Sequence, residues 1–271
     1  MQEGNITVNG CSIHYRQAGD PQGPTIFLLH GNSMSGRCFA LQLTSSLTEH
    51  YRLIAIDLPG HGQSARLTLT DYNLPAYAKL VSAAVLALDA HRAVLVGWSL
   101  GGHVLLQATQ YLPQCTGLML VGTPPLGQME DALNAFLPAP DTIMYQDKVS
   151  KAQAQAFAQA CLRPGSTLDN SSMVDDIMIS DGTARLGLLQ PNVAFTDEVS
   201  IARNLDMPLA ILHGEKEQLV NPAYIEALEL KGLWRGQVQV VPDAGHTPHM
   251  EAPQFFNALL HEFADYCHAA V

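Results

Sequence analysis

One stretch limits what this chain can fold into more than any other: Val94-Leu95-Val96-Gly97-Trp98-Ser99-Leu100-Gly101-Gly102-His103. An apolar, β-branched run ends in Gly-x-Ser-x-Gly, and a helix-forming run reaching Tyr111 follows. That order, strand then tight turn then helix, is what a nucleophile elbow requires. The turn strains the serine backbone and crowds the positions two residues to either side. Gly97 and Gly101 carry no Cβ and leave that room. An ordinary glycine-rich turn between strand and helix fits the same five residues, so the rest of the chain has to decide.

The surrounding sequence alternates strand and helix patterns. Ile6 to Tyr15 alternates about Asn9-Gly10 and predicts a hairpin. A wholly apolar strand is expected at 25–29 and further strands at 52–56, 94–98, 117–121 and 208–212, with a last strand at 237–241. Helices are expected at 37–47, 74–88, 222–230 and 253–268. Such alternation predicts an α/β fold: a mostly parallel, eight-stranded sheet flanked by helices. Ligands in such sheets bind beyond the carboxyl ends of the strands. The rhythm breaks after Thr123. Residues 124–199 show helix, notably at 148–161, and loops, but no convincing strand. The expected division is therefore a core of 1–123 and 200–271 with a helical cap of 124–199 inserted after the sixth strand.

Composition narrows the function. The chain of 271 residues has 47% hydrophobic residues, a formal net charge of −11 and no basic cluster. An acidic surface argues against nucleic acid and anionic membrane as partners and leaves a small-molecule substrate. No apolar run approaches the roughly 20 residues of a membrane span. Five scattered cysteines fit neither a disulfide framework nor a metal site. Met1-Gln2-Glu3-Gly4-Asn5 has no signal-peptide pattern, so a cytoplasmic protein is expected. No metal or other cofactor is expected.

A serine nucleophile needs a base and a group that orients the base, in this architecture in the order serine, acid, histidine. His246 follows the last strand in Ala244-Gly245-His246 and is the candidate base. The acid belongs in the loop after the preceding strand, where Glu215 and Glu217 stand. Glu217 is preferred, because Gly214 supplies the turn and Leu219-Val220 can anchor the loop. The alternative place for the acid, after 117–121, holds Thr123-Pro124-Pro125 instead. The backbone N–H groups of Leu100 and Asn32 are the candidate oxyanion hole, and the Asn32 side chain is a candidate substrate contact. Asp57 and His61, in Asp57-Leu58-Pro59-Gly60-His61-Gly62, read as a shaped loop rather than an acid–base pair. His103 reads as a structural helix residue, and His213 and His249 have no evident partner.

Taken together, His30-Gly31, the Asp57 to Ser64 loop, the elbow, the Glu217 loop and Gly245-His246 resemble the α/β-hydrolase superfamily over 6–268. Longer strings, His30-Gly31-Asn32-Ser33, Gly97 to His103, Gly122-Thr123-Pro124-Pro125, Leu233-Trp234-x-Gly236 and Ala244-Gly245-His246-x-Pro248, resemble the metal-independent N-acyl-homoserine lactonases of the AidH type. That resemblance implies a quorum-quenching lactonase with a glutamate as the triad acid, which fits Glu217. It implies a substrate wall of Asn32, Trp98, Phe136, Met144 and Phe157. Phe157 stands where that group carries a tyrosine for the lactone. Met129, Leu133, Leu137 and Ile143 are further candidates for an acyl channel. A general carboxylesterase or carbon–carbon bond hydrolase is the second reading, and a small-molecule receptor with a vestigial triad the third.

Overall fold

Asn9 and Gly10 both have positive φ, 50° and 79°. A two-residue hairpin turn of the type that matches strand twist needs that conformation at both places. It joins β1 (Gln2–Val8) to β2 (Cys11–Ala18) in antiparallel register, with Ile6 opposite Ile13. The computed structural model describes residues 1–139, 143, 145–188, 190, 192–230 and 232–269.

Six further strands complete one sheet: β3 (Thr25–Leu29), β4 (Arg52–Ile56), β5 (Val94–Trp98), β6 (Gly117–Val121), β7 (Leu209–Gly214) and β8 (Gln239–Val241). The order is β1-β2-β4-β3-β5-β6-β7-β8. Pairing is antiparallel from β1 to β2 and from β2 to β4, and parallel from there on. β3, β5 and β6 are buried at every residue. Their unbroken apolar runs reflect a sheet covered on both faces. One core layer gathers Phe39, Trp98, Phe256 and Phe263, and the other gathers the helix Leu74–Ala87 and the helix Leu100–Ala108. The parallel strands all end at one edge. That edge delivers Asn32, Ser99, Gly122, Glu217 and His246.

Several elements differ from expectation. The helix expected at 37–47 is broken into a 3-10 turn Gly36–Phe39, a short helix Ala40–Leu43 and a second 3-10 turn Ser46–Glu49. The cause is local. Thr44 and Ser45 hydroxyls donate to the carbonyls of Ala40 and Gln42, and Ser45 Oγ then accepts the Leu47 N–H. Such side chains offer the backbone an alternative to helix. The helix Lys151–Ala160 starts later than expected because Ser150 and Gln153 form a capping box. The helix Pro222–Ala227 is also shorter, ending where Leu228 becomes extended. A short helix, Pro248–Glu251, precedes the last one, Pro253–Ala269.

Between β6 and β7 the described residues form helices and loops. The longest are Lys151–Ala160 and Ser171–Ile179, with a single bridge from Phe136 to Val220. Among the described residues no helix is long and apolar enough to cross a membrane. All five cysteines are buried thiols.

Two buried histidines make the fold sensitive to acid. His249 lies among Trp98, Phe39 and Phe256, and neither ring nitrogen has a partner among the described residues. His61 donates Nδ1–H to the Pro59 carbonyl, and its Nε2 has none. Burial pushes both down to about 3. The unfolded chain binds protons at these rings below about 6.5 and the folded chain does not. Their contribution is therefore complete above about pH 6.5 and is lost as pH falls toward 3, at about 1.4 kcal/mol per pH unit for each. Denaturant midpoints are expected to fall steeply between pH 6 and 4. His249→Phe should lessen that slope by about one proton, and an unchanged slope would show that His249 does not govern it.

Candidate active site

Ser99 sits between β5 and the helix Leu100–Ala108 with φ 53° and ψ −120°. A non-glycine residue there costs on the order of 1–3 kcal/mol and must be held by its surroundings. Ser99 N–H donates to the Val121 carbonyl at 2.8 Å, and Thr123 Oγ1 donates to the Ser99 carbonyl at 2.9 Å. Crowding explains the glycines. A Cβ on Gly97 would lie 2.5 Å from the Gly102 backbone, and one on Gly101 would lie 2.3 Å from the Leu29 carbonyl oxygen. The turn is thus the strained elbow expected from the sequence.

His246 follows β8, and its Nδ1 lies 2.8 Å from Glu217 Oε2, with both side chains buried. The other carboxylate oxygen, Oε1, accepts the backbone N–H of Gln218, Leu219 and Val220. Burial pushes the Glu217 carboxyl up, but the facing His246 and these N–H donors outweigh it and hold it below its usual value. The ionised carboxylate fixes the proton on Nδ1, which leaves Nε2 as the basic nitrogen. Glu215 points away into solvent and accepts the Asp243 N–H. The Trp98 indole N–H donates to the His246 carbonyl at 2.7 Å.

Ser99 and His246 line one cavity of about 120 Å³, together with Asn32, Trp98, Phe136 and Phe157. No hydrogen bond joins Ser99 Oγ to the ring among the described residues. Such contacts commonly tighten only when substrate is bound. A second cavity of about 270 Å³ meets the first at Asn32, Ser99 and Phe136 and runs past Met129, Tyr145 and Phe195. Leu137 lines the smaller cavity. Ile143 is packed in the core and Leu133 is 86% exposed, so Leu133 lies outside any channel. Met144 lies outside the described residues.

Leu100 is the first residue of its helix, where an N–H has no helical partner. The Asn32 N–H has no partner among the described residues either. Asn32 Oδ1 accepts from Ser33 Oγ, which accepts from Arg185 Nη1 in turn. Arg185 is itself fixed by the Gln146 and Asp147 carbonyls. The buried Asn32 Nδ2 is left with no partner among the described residues. It is available to a bound carbonyl.

Asp57 and His61 are structural, as the sequence suggests. Asp57 takes Arg16 Nη1 and the N–H groups of Gly36 and Gln63. His213 Nδ1–H donates to the Gly214 carbonyl. His103, in contrast, lines the larger cavity and meets a buried Glu198.

Sequence reasoning missed Gly122 and Glu251. A Cβ on Gly122 would lie 2.9 Å from the His246 ring and 3.4 Å from Glu217 Oε2. Glu251 accepts from Gly245 N–H, Thr247 Oγ1 and Arg163 N–H, which pins the loop that carries His246. The strings Gly122-Thr123 and His246-x-Pro248 with Glu251 close behind were the available signals. Among the described residues no three His, Cys, Asp or Glu side chains converge as metal ligands.

A family model for the alpha/beta hydrolase family matches residues 26–259. The chain belongs to the alpha/beta hydrolase family. It is 31% identical over 249 residues to the Pimeloyl-[acyl-carrier protein] methyl ester esterase of Xylella fastidiosa (strain 9a5c), a match spanning 89% of this chain and 95% of that protein. Among solved structures it is similar to N-acyl homoserine lactonase AidH complexed with N-butanoyl homoserine, with 30% identity and a TM-score of 0.91 over 98% of this chain and 97% of that one. It is also similar to the esterase RhEst1 from Rhodococcus sp. ECU1013, with 26% identity and a TM-score of 0.82 over 98% of each chain. This alpha/beta hydrolase is an enzyme that acts on ester bonds.

Gly122 gives the site's most direct geometric test. Gly122→Ala should displace the His246 ring and lower kcat by roughly a hundredfold, since misplacements near 1 Å cost about that much. Ester turnover and thermal unfolding measured together check this. An unchanged kcat in a folded variant would mean the ring has more room than the distances allow.

Proposed function

We propose that this hydrolase opens the lactone ring of N-acyl-homoserine lactones, a quorum-quenching reaction, through an acyl-enzyme on Ser99. The observation that carries the reading is the 2.8 Å contact between Glu217 and His246 beside the Ser99 elbow. It is joined by the likeness, over 98% of the chain, to a lactonase holding N-butanoyl homoserine.

His246 Nε2 takes the Ser99 Oγ proton as Oγ attacks the lactone carbonyl. The Asn32 and Leu100 N–H groups receive the oxyanion, and each such donor is worth about a hundredfold or more in turnover. The imidazolium, stabilised by Glu217, then gives its proton to the departing ring oxygen. That alcohol stays tethered to the acyl-enzyme because the ester is cyclic. Water, deprotonated by His246, releases the open-chain N-acyl-homoserine, and a proton is lost to solvent. Residues 1–123 and 200–271 act as the core and 124–199 as a cap, with Trp98, Phe136 and Phe157 as apolar walls and the larger cavity taking the acyl chain. The enzyme works in the cytoplasm with a small-molecule substrate and needs no cofactor.

A second reading is a carboxylic ester hydrolase for open-chain methyl esters. The 31% identity to a methyl ester esterase favours it. The two are separated by incubating chelator-treated protein with N-acyl-homoserine lactones of several chain lengths, methyl esters and p-nitrophenyl esters. Proton release from the lactones is expected. Turnover of the esters with intact lactones would leave the second reading standing alone. Ser99→Ala and Glu217→Ala are expected to lower kcat by about a thousandfold or more. Glu215→Ala should stay within about twofold. The reverse ranking of the two glutamates would overturn the triad.

A further inference from the structure

The larger cavity is mostly apolar, but one part of its wall carries His103, Gln107 and Glu198. Glu198 is buried and comes from the helix Glu198–Arg203. Its Oε1 accepts from Gln107 Nε2 at 2.9 Å, and its Oε2 lies 2.7 Å from His103 Nδ1 and 3.3 Å from Leu126 N. Both carboxylate oxygens therefore accept from donors, and Oε2 holds the His103 proton on Nδ1. His103 Nε2 is left as a lone-pair acceptor with no partner among the described residues, on a side chain that lines the cavity. His103 follows Ser99 by four residues, so it stands on the same helix face, about 6 Å along the axis from the nucleophile. A purely hydrocarbon acyl chain would have no use for an acceptor there, because a polar site that desolvates without a partner loses binding.

We infer that His103 Nε2, fixed as an acceptor by Glu198, reads a hydrogen-bond donor on the carbon next to the scissile carbonyl. The substrate class is then an ester or lactone bearing an α-acylamino group, whose N–H lies two bonds from the scissile carbon. This rests on Ser99 being the nucleophile, and it deepens the proposed function by naming the residue that selects the amide. His103 is a specificity residue, and Glu198 is a positioning residue that sets its tautomer.

The experiment uses acyclic substrates, so that its outcome is independent of whether lactones are cleaved. N-hexanoylglycine methyl ester is compared with methyl 4-oxononanoate, in which CH₂ replaces the N–H at equal length. Wild-type enzyme should prefer the amide by about tenfold or more in kcat/KM, because a site built to bond an N–H rejects the analogue that lacks it. A ratio near one in the wild type overturns the inference without any variant. His103→Phe should bring the ratio to about one, and His103→Gln, which keeps an acceptor, should restore part of it. Glu198→Leu removes the acceptor that fixes the proton on Nδ1 and should reduce the preference for the amide. A merely structural tie between the two helices would instead lower both substrates equally in every variant, and that result also overturns the inference.

Discussion

The structure depends on the crowding around one strained residue. Ser99 keeps a positive φ because the end of β6 and the turn after it grip it from both sides, through the Val121 carbonyl and the Thr123 hydroxyl. Neighbouring chain lies where side chains at Gly97 and Gly101 would be. The approach of β3, β5 and β6 therefore sets the position of Ser99 before any ligand arrives. The same three strands are buried at every residue, so a shift of one would disturb a close-packed core. Precision at the serine is a property of the sheet, not of the loop.

The base and its acid are arranged differently. They sit on loops, and hydrogen bonds replace packing as the constraint. Three backbone N–H groups converge on Glu217 Oε1, and the Trp98 indole holds the His246 carbonyl. Gly122 leaves the space in which the two side chains meet. The oxyanion loop has its own support, running from Arg185 through Ser33 to Asn32. The His246 ring and the Asn32 loop thus depend on partners distant in sequence, whereas Glu217 is held by the three N–H groups that follow it.

That separation explains what could be read from the sequence. The sheet was legible because wholly apolar runs of five residues have few other fates in a chain of this size. The meeting of Glu217 with His246 near Ser99 was legible because the proposed chemistry needs fixed residue types in a fixed order after particular strands. The preference for Glu217 over Glu215 rested on which loop position an apolar pair could anchor, and the coordinates place that carboxylate on His246. The helix at 37–47 was misjudged because hydroxyl competition at Thr44 and Ser45 is a local effect that periodicity does not register. Arg185, Glu198 and Glu251 escaped notice for the opposite reason. Their partners lie as far as 152 residues away, and no spacing rule links them. His103 reads as structural from sequence, and its tie to Glu198 is, but its side chain also lines the larger cavity.

Glu251 has a consequence for how substrate can reach the serine. Its carboxylate joins the loop of His246, through Gly245 and Thr247, to the backbone of Arg163, in the segment whose Phe157 and Cys161 line the smaller cavity. A Cβ on Gly245 would lie 2.5 Å from the Arg163 nitrogen, so the two backbones are in direct contact. At this corner that segment and the His246 loop are tied together, and displacing one would carry the imidazole out of register. The larger cavity meets solvent elsewhere, at the exposed side chains of Tyr145 and Phe195.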